Sequence, residues 1–141
     1  MGADIRVLIG DDHRMVREGL KQVLADASNG PPAMRVCAEA QSGPEVLWQI
    51  EVMGGAAGLD LVLLDIALPG RDGLEVLQAL RRAWPALPVL MLSTYPESQY
   101  ALRCIKLGAA GYLHKGADAR AMVAAVRKAA GGGIHVSPAM P

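Results

Sequence analysis

The chain predicts an α/β fold in which five parallel strands alternate with five helices, and three observations carry that reading. Short apolar runs at Ile5–Ile9, Met34–Ala40, Leu61–Leu64, Val89–Leu92 and Gly111–His114 have the length of buried strands. Each is followed by a stretch with helical spacing, and strict alternation argues for parallel strands joined by helical crossovers. Acidic residues close two of the runs, Asp11-Asp12 after the first and Asp65 after the third, so they share one rim of the sheet, where open α/β proteins place their sites.

Each element has its own warrant. After the first strand, Val16, Leu20, Val23 and Leu24 fall on one helical face. Ser28-Asn29-Gly30-Pro31-Pro32 is a loop by composition and leads to the second strand. Ser42-Gly43-Pro44-Glu45 reads as a capping box with proline in the first turn. It opens a second helix with Val46, Leu47, Ile50 and Met53 inside, and Trp48 and Met53 are expected to pack beneath it. Gly54-Gly55-Ala56-Ala57-Gly58 is a connector; no Lys-Ser/Thr follows it, which argues against a phosphate-cradling P-loop. Asp72 is placed to cap a third helix with Gly73, Val76, Leu77 and Leu80 inside and Arg81-Arg82 at its solvated end. A fourth helix, roughly 97–107, is less regular, with Ala101, Leu102 and Ile105 as its expected inner face. The last helix repeats the pattern at Met122, Ala125, Val126 and Ala129. Gly108 and Gly131 stand where helix C-caps belong.

Composition sets bounds. With 141 residues, 52% hydrophobic and 20% charged, the chain is globular and fits one domain. Fourteen basic residues balance fourteen acidic ones, so no overall field draws it to nucleic acid or an anionic membrane. The first residues lack a signal peptide or myristoylation pattern, and no run approaches membrane-spanning length, so a cytoplasmic location is expected. Cys37 and Cys104 form neither a disulfide framework nor a metal-ligand spacing and are expected as reduced, packed thiols. Residues 131–141, rich in glycine and ending in Pro141, read as the start of a linker.

Three carboxylates crowded on one rim repel each other unless a hard cation lies between them. Asp11, Asp12 and Asp65 are therefore expected to hold Mg²⁺ and to support chemistry on an aspartate. His13 and His114 are expected to be a solvated side chain and a strand surface residue.

Taken in order, Asp11-Asp12-His13, Asp65 through Gly73, Leu92-Ser93 and Gly108-Ala109-Ala110-Gly111-Tyr112-Leu113-His114-Lys115 strongly resemble the receiver domain of bacterial two-component response regulators. The resemblance spans about residues 5–130. Asp-Asp-His, Gly-Tyr-Leu-x-Lys and the lack of proline after Lys115 are similar to the NarL/FixJ (LuxR-type) subfamily, whose other half is a helix-turn-helix DNA-binding domain. It implies a doubly wound, flavodoxin-like sheet of order 2-1-3-4-5, with a receiver domain over 1–130, a linker from 131, and a DNA-binding output domain absent from this chain.

Roles follow from the same resemblance. Asp65 matches the phosphoacceptor, which takes a phosphoryl group from a sensor histidine kinase. Asp12, Asp65 and the backbone carbonyl of Ala67 would hold Mg²⁺, with Asp11 acting largely through water. Ser93 and Lys115 would meet the phosphoryl oxygens, and Tyr112 with Ser93 would form the switch, Tyr112 turning inward on phosphorylation. Homodimerisation on phosphorylation is a further expectation, and DNA contact would come only through the absent domain. Ala67 and Tyr95, two residues beyond Asp65 and Ser93, flank the path of hydrolytic water. Rival readings are weaker. Aspartyl-phosphate phosphatases carry a second Asp where Ala67 stands, so turnover of external substrates, and hence an enzyme, is not expected. A flavodoxin-like cofactor site would set a phosphate against Asp11-Asp12. A stand-alone receiver acting through protein docking or a phosphorelay is the nearest alternative.

Overall fold

In a computed structural model, residues 4–136 are described. They form β1 (Ile5–Gly10), α1 (Arg14–Ala25), β2 (Met34–Ala40), α2 (Gly43–Met53), β3 (Leu61–Asp65), α3 (Gly73–Ala83), β4 (Val89–Ser93), α4 (Glu97–Lys106), β5 (Tyr112–His114) and α5 (Ala119–Ala130). The five strands make one parallel sheet of order 2-1-3-4-5, as expected.

Alternation along the strands explains why their sequences read as unbroken apolar runs. Val7, Ile9, Leu61, Leu63, Leu90 and Leu92 face one way and pack under α1 and α5. Their neighbours Leu8, Val62, Leu64, Val89 and Met91 face the other way and pack under α2, α3 and α4. Both faces are covered, so neither parity can be polar. Fully burying one such leucine contributes about 1.5–3 kcal/mol, and the central strands are entirely buried.

The caps behave as their chemistry requires. Ser42 Oγ accepts from Glu45 N at 3.3 Å, and Asp72 Oδ1 accepts from Leu74 N at 2.8 Å, the simple capping role expected of it. Gly73, the first residue of α3, lets that helix pass close to the site: a Cβ there would lie 2.4 Å from the Asp65 carbonyl oxygen. No described helix is long and apolar enough to cross a membrane.

Several local expectations are corrected. Trp48 does not pack beneath α2 but is 61% exposed, because Val46 and Ile50, one turn apart, take the core-facing stripe; Met53 is partly buried as expected. On α4 the buried residues are Ala101 and Cys104, three apart, while Leu102 is exposed. Burial pushes the Cys104 thiol up to about 11, which keeps it an inert packed group; Cys37 is only half-buried. β5 begins at Tyr112, because Gly111 instead pairs with His135 in an isolated parallel bridge. His135 N donates to Ala110 O at 2.8 Å and Tyr112 N to His135 O at 3.2 Å, so the chain after α5 runs along the outer edge of β5. Only glycine suits position 111, where φ is +143° and a Cβ would lie 2.2 Å from the His135 oxygen. The expected linker thus makes an edge contact at His135; residues 137–141 lie outside the described residues.

Candidate functional site

The strand ends gather the acidic residues. Asp65 is the last residue of β3 and is 2% exposed; Asp11 follows β1 and is fully buried; Asp12 is the outermost, its side chain 35% exposed. Carboxylate oxygens of Asp11, Asp12 and Asp65 and a ring nitrogen of His13 all lie within 4.8 Å of one another.

One ammonium meets this group from the end of β5. Lys115 Nζ lies 2.7 Å from Asp11 Oδ2 and 3.0 Å from Asp65 Oδ2, and its side chain is 10% exposed. Burial opposes the charged amine, but the two carboxylates outweigh it and hold Lys115 above its ordinary pKa. Its backbone is fixed as well, Lys115 N donating to Ser93 O at 2.8 Å. Asp65 Oδ1 accepts from Ala67 N at 3.0 Å, and His13 N donates to Asp11 Oδ1 at 2.8 Å. Three carboxylates against one ammonium leave two negative charges, which a divalent cation balances. The oxygen-rich donor set therefore fits a hard cation. The side open to solvent is a cleft of about 900 Å³ whose lining includes Asp12, Ala67, Tyr95, Tyr100 and Arg103.

Ser93 and Tyr112 are joined through Tyr95. Ser93, the last residue of β4, is 1% exposed, and its Oγ accepts from Tyr95 N at 2.8 Å. Tyr112 is fully buried, and its hydroxyl donates to Tyr95 O at 2.7 Å. Burial pushes the Tyr112 phenol up, so it stays a neutral donor. No hydrogen bond joins Ser93 to Asp65 among the described residues.

Two histidines make contacts that spacing does not show. His13 is 64% exposed at its side chain but not merely solvated: Nδ1 lies 3.1 Å from Asp11 Oδ1 and 3.2 Å from Asp12 Oδ1. Spacing alone hid it, because its partners are the two residues just before it. His114 Nε2 lies 2.9 Å from Thr94 O, and its Nδ1 accepts from Gly116 N at 2.9 Å, so it ties the ends of β4 and β5 together. Sequence reasoning also missed Arg17. It shares the buried stripe of α1 with Leu20 and Leu24, and a cation on such a stripe was the available signal.

Comparison with known proteins agrees with this geometry. Residues 7–127 match the family model of the response regulator receiver domain. The chain belongs to the receiver domains of two-component response regulators. It is similar to the response regulator GacA of Pseudomonas viridiflava, 37% identical over 134 residues that cover 95% of this chain and 59% of that protein. The transcriptional regulatory protein DegU of Brevibacillus brevis is 34% identical, covering 95% and 53%. Among solved structures, the receiver domain of the putative response regulator NarL from Mycobacterium tuberculosis superposes with a TM-score of 0.78 at 34% identity, covering 93% and 99%. A LuxR-family two-component response regulator from Aurantimonas sp. SI85-9A1 gives 0.82 at 29%, covering 96% and 91%. These relatives bear out the NarL/FixJ subfamily. The chain spans little more than half the length of the curated relatives it matches.

Proposed function

We propose that Asp65 accepts a phosphoryl group from a phosphohistidine on a sensor histidine kinase, with Mg²⁺ held by Asp11, Asp12, Asp65 and the Ala67 carbonyl. The observation that carries this reading is the pair of excess negative charges around a buried, strand-end carboxylate. A bound Mg²⁺ would screen that carboxylate from the incoming phosphoryl oxygens and help neutralise their charge.

The chain's own groups do the rest. An Asp65 carboxylate oxygen forms the bond to phosphorus as the phosphorus–nitrogen bond to the donor imidazole breaks, and the electron pair leaves with that imidazole. Lys115 already spans Asp11 and Asp65 and supplies a cation to the transferred group. Ser93 offers a hydroxyl, which it can give only by loosening its bond to Tyr95 N. Because Tyr112 lies inward in this structure, the switch we propose works through Tyr95: drawing Ser93 toward the phosphoryl group frees the loop whose carbonyl holds the Tyr112 hydroxyl. Residues 97–130 would carry that change outward. We further propose that the receiver covers residues 1–130, that phosphorylation favours a homodimer, and that DNA is reached through an output domain beyond this chain, as in a transcription regulator. Ala67 offers no acid for turning over external substrates, which supports a signalling role over catalysis.

Incubation with a small phosphodonor and Mg²⁺ should add one phosphoryl group in a linkage cleaved by alkali. Chelating the metal, or substituting Asp65→Asn, should abolish the uptake. A base-stable product, or one surviving in the variant, would refute the assignment.

A further inference from the structure

We propose that Arg17 is a positioning residue for this site, holding the turn between β1 and α1 so that Asp11 and Asp12 stand where the cation and Asp65 need them; the proposal rests on the Mg²⁺-dependent reading above. Arg17 is 7% exposed, and a guanidinium is costly to bury unless its donors are met. They are met in two directions. Nη1 donates to the Asp11 carbonyl oxygen at 2.7 Å, and Nε to Glu39 Oε1 at 2.9 Å. Glu39, near the end of β2, is held a second time by Lys21 Nζ at 2.9 Å on Oε2, and the Lys21 ammonium, with Arg17 beside it, keeps this carboxyl below its usual range against the opposing effect of burial.

The main chain of Asp11 is thereby fixed on both sides, its N–H by Ala40 O at 3.0 Å and its carbonyl by Arg17. The next residue depends most on that anchorage. Asp12 is partly exposed, and among the described residues its carboxylate has only the His13 ring as a side-chain partner. Its place is therefore set by the backbone of the turn. The charge of Arg17 is answered by Glu39, so its contribution to the site is geometric. Lysine cannot replace it, since a compact ammonium lacks the planar fork that serves an acceptor on each side.

The test follows the Ala67 amide by NMR while Mg²⁺ is added to the whole chain, and in parallel the rate of phosphoryl uptake from acetyl phosphate. Arg17→Lys and Arg17→Met should raise half-saturating Mg²⁺ about 10- to 100-fold, as loss of a supporting partner does in metal sites. The uptake rate at saturating Mg²⁺ should stay near that of the unsubstituted chain. Lys21→Met removes one hold on Glu39 while leaving Arg17 on Asp11, and should not move the Mg²⁺ midpoint. If Arg17→Met fails to fold, Arg17→Lys decides. A native midpoint in Arg17→Lys, or an equal shift in Lys21→Met, would overturn the positioning role alone. No response to Mg²⁺ in the unsubstituted chain would overturn the parent reading and this one with it.

Discussion

The two rims of the sheet are both charged, yet they meet their charges differently: at one a guanidinium and a carboxylate pair one to one, at the other carboxylates outnumber the ammonium. At the N-terminal rim, Arg6 forks onto Asp60, with its backbone N and its Nε donating to Oδ2 at 2.8 and 2.9 Å and Nη2 to Oδ1 at 3.1 Å, while Nη1 donates to Ala57 O at 2.9 Å. Close by, Arg127 Nη2 donates to the carbonyls of Asn29, Gly30 and Pro32. Arg6 and Asp60 answer each other one to one, while Arg127, met only by carbonyls, keeps a buried Nε without a hydrogen-bond partner; the arrangement clamps loops to strands. At the C-terminal rim, three carboxylates face one ammonium. A fold at its electrostatic optimum would not retain that excess, so the difference teaches where a charged ligand belongs.

The largest expected effect comes from deepening the imbalance. Lys115→Met leaves the buried carboxylates of Asp11 and Asp65 without their cation and should destabilise the metal-free chain by roughly 3–5 kcal/mol, the usual consequence of breaking a buried ion pair. Urea unfolding measures it, and Mg²⁺ should restore part of the loss. A variant as stable as the parent without metal would mean that Lys115 does not compensate these charges.

Relieving the imbalance should act the other way. Asp12→Asn removes one of the repelling charges and should stabilise the metal-free chain by up to about 1 kcal/mol, the scale of partly exposed charge interactions. In return, the rise in melting temperature that Mg²⁺ gives the parent by mass action should largely vanish. Thermal melts with and without Mg²⁺ test both halves. An equal Mg²⁺ response in parent and variant would remove Asp12 from the site.

The Arg6–Asp60 pair should reveal itself by pH, with a smaller effect. Hydrogen bonding from the Arg6 side chain holds the Asp60 carboxyl below its ordinary value, against burial and with help from the Arg6 backbone N–H. A depressed folded-state value means that the stabilisation is fully present above the unfolded-state pKa and is lost as pH falls through the folded-state one. Asp60→Asn should therefore flatten the loss of stability on the acid side of the ordinary carboxylate range while leaving phosphoryl uptake intact. An unchanged acid limb would mean that this pair contributes nothing to the pH dependence.

Much of this was legible in the residues, and the misses have physical reasons. Both sheet faces are covered, so strand parity shows only as continuous apolar runs, and these placed Asp11, Asp12 and Asp65 on the correct rim. Trp48 misled because α2 is apolar on several sides, and hydrophobicity alone does not choose a face where Val46, Leu47, Ile50 and Val52 compete. The bridge between Gly111 and His135 uses backbone groups only, which carry no sequence signature beyond the glycine itself. Lys115 was legible only through the family resemblance, as the last residue of the run from Gly108. Arg17 left one signal, a cation on an apolar stripe, which reads as an interruption until Glu39 and the Asp11 carbonyl are seen to meet it.

The central claim is that the unbalanced rim reacts at one atom group, the Asp65 carboxylate. Borohydride reduction after treatment with acetyl phosphate converts a phosphorylated aspartate into homoserine, which peptide mass mapping locates. We expect homoserine at position 65 alone, formed only when Mg²⁺ is present. Homoserine at Asp60 or Asp12, or a phosphate that resists reduction on Ser93, would contradict the account.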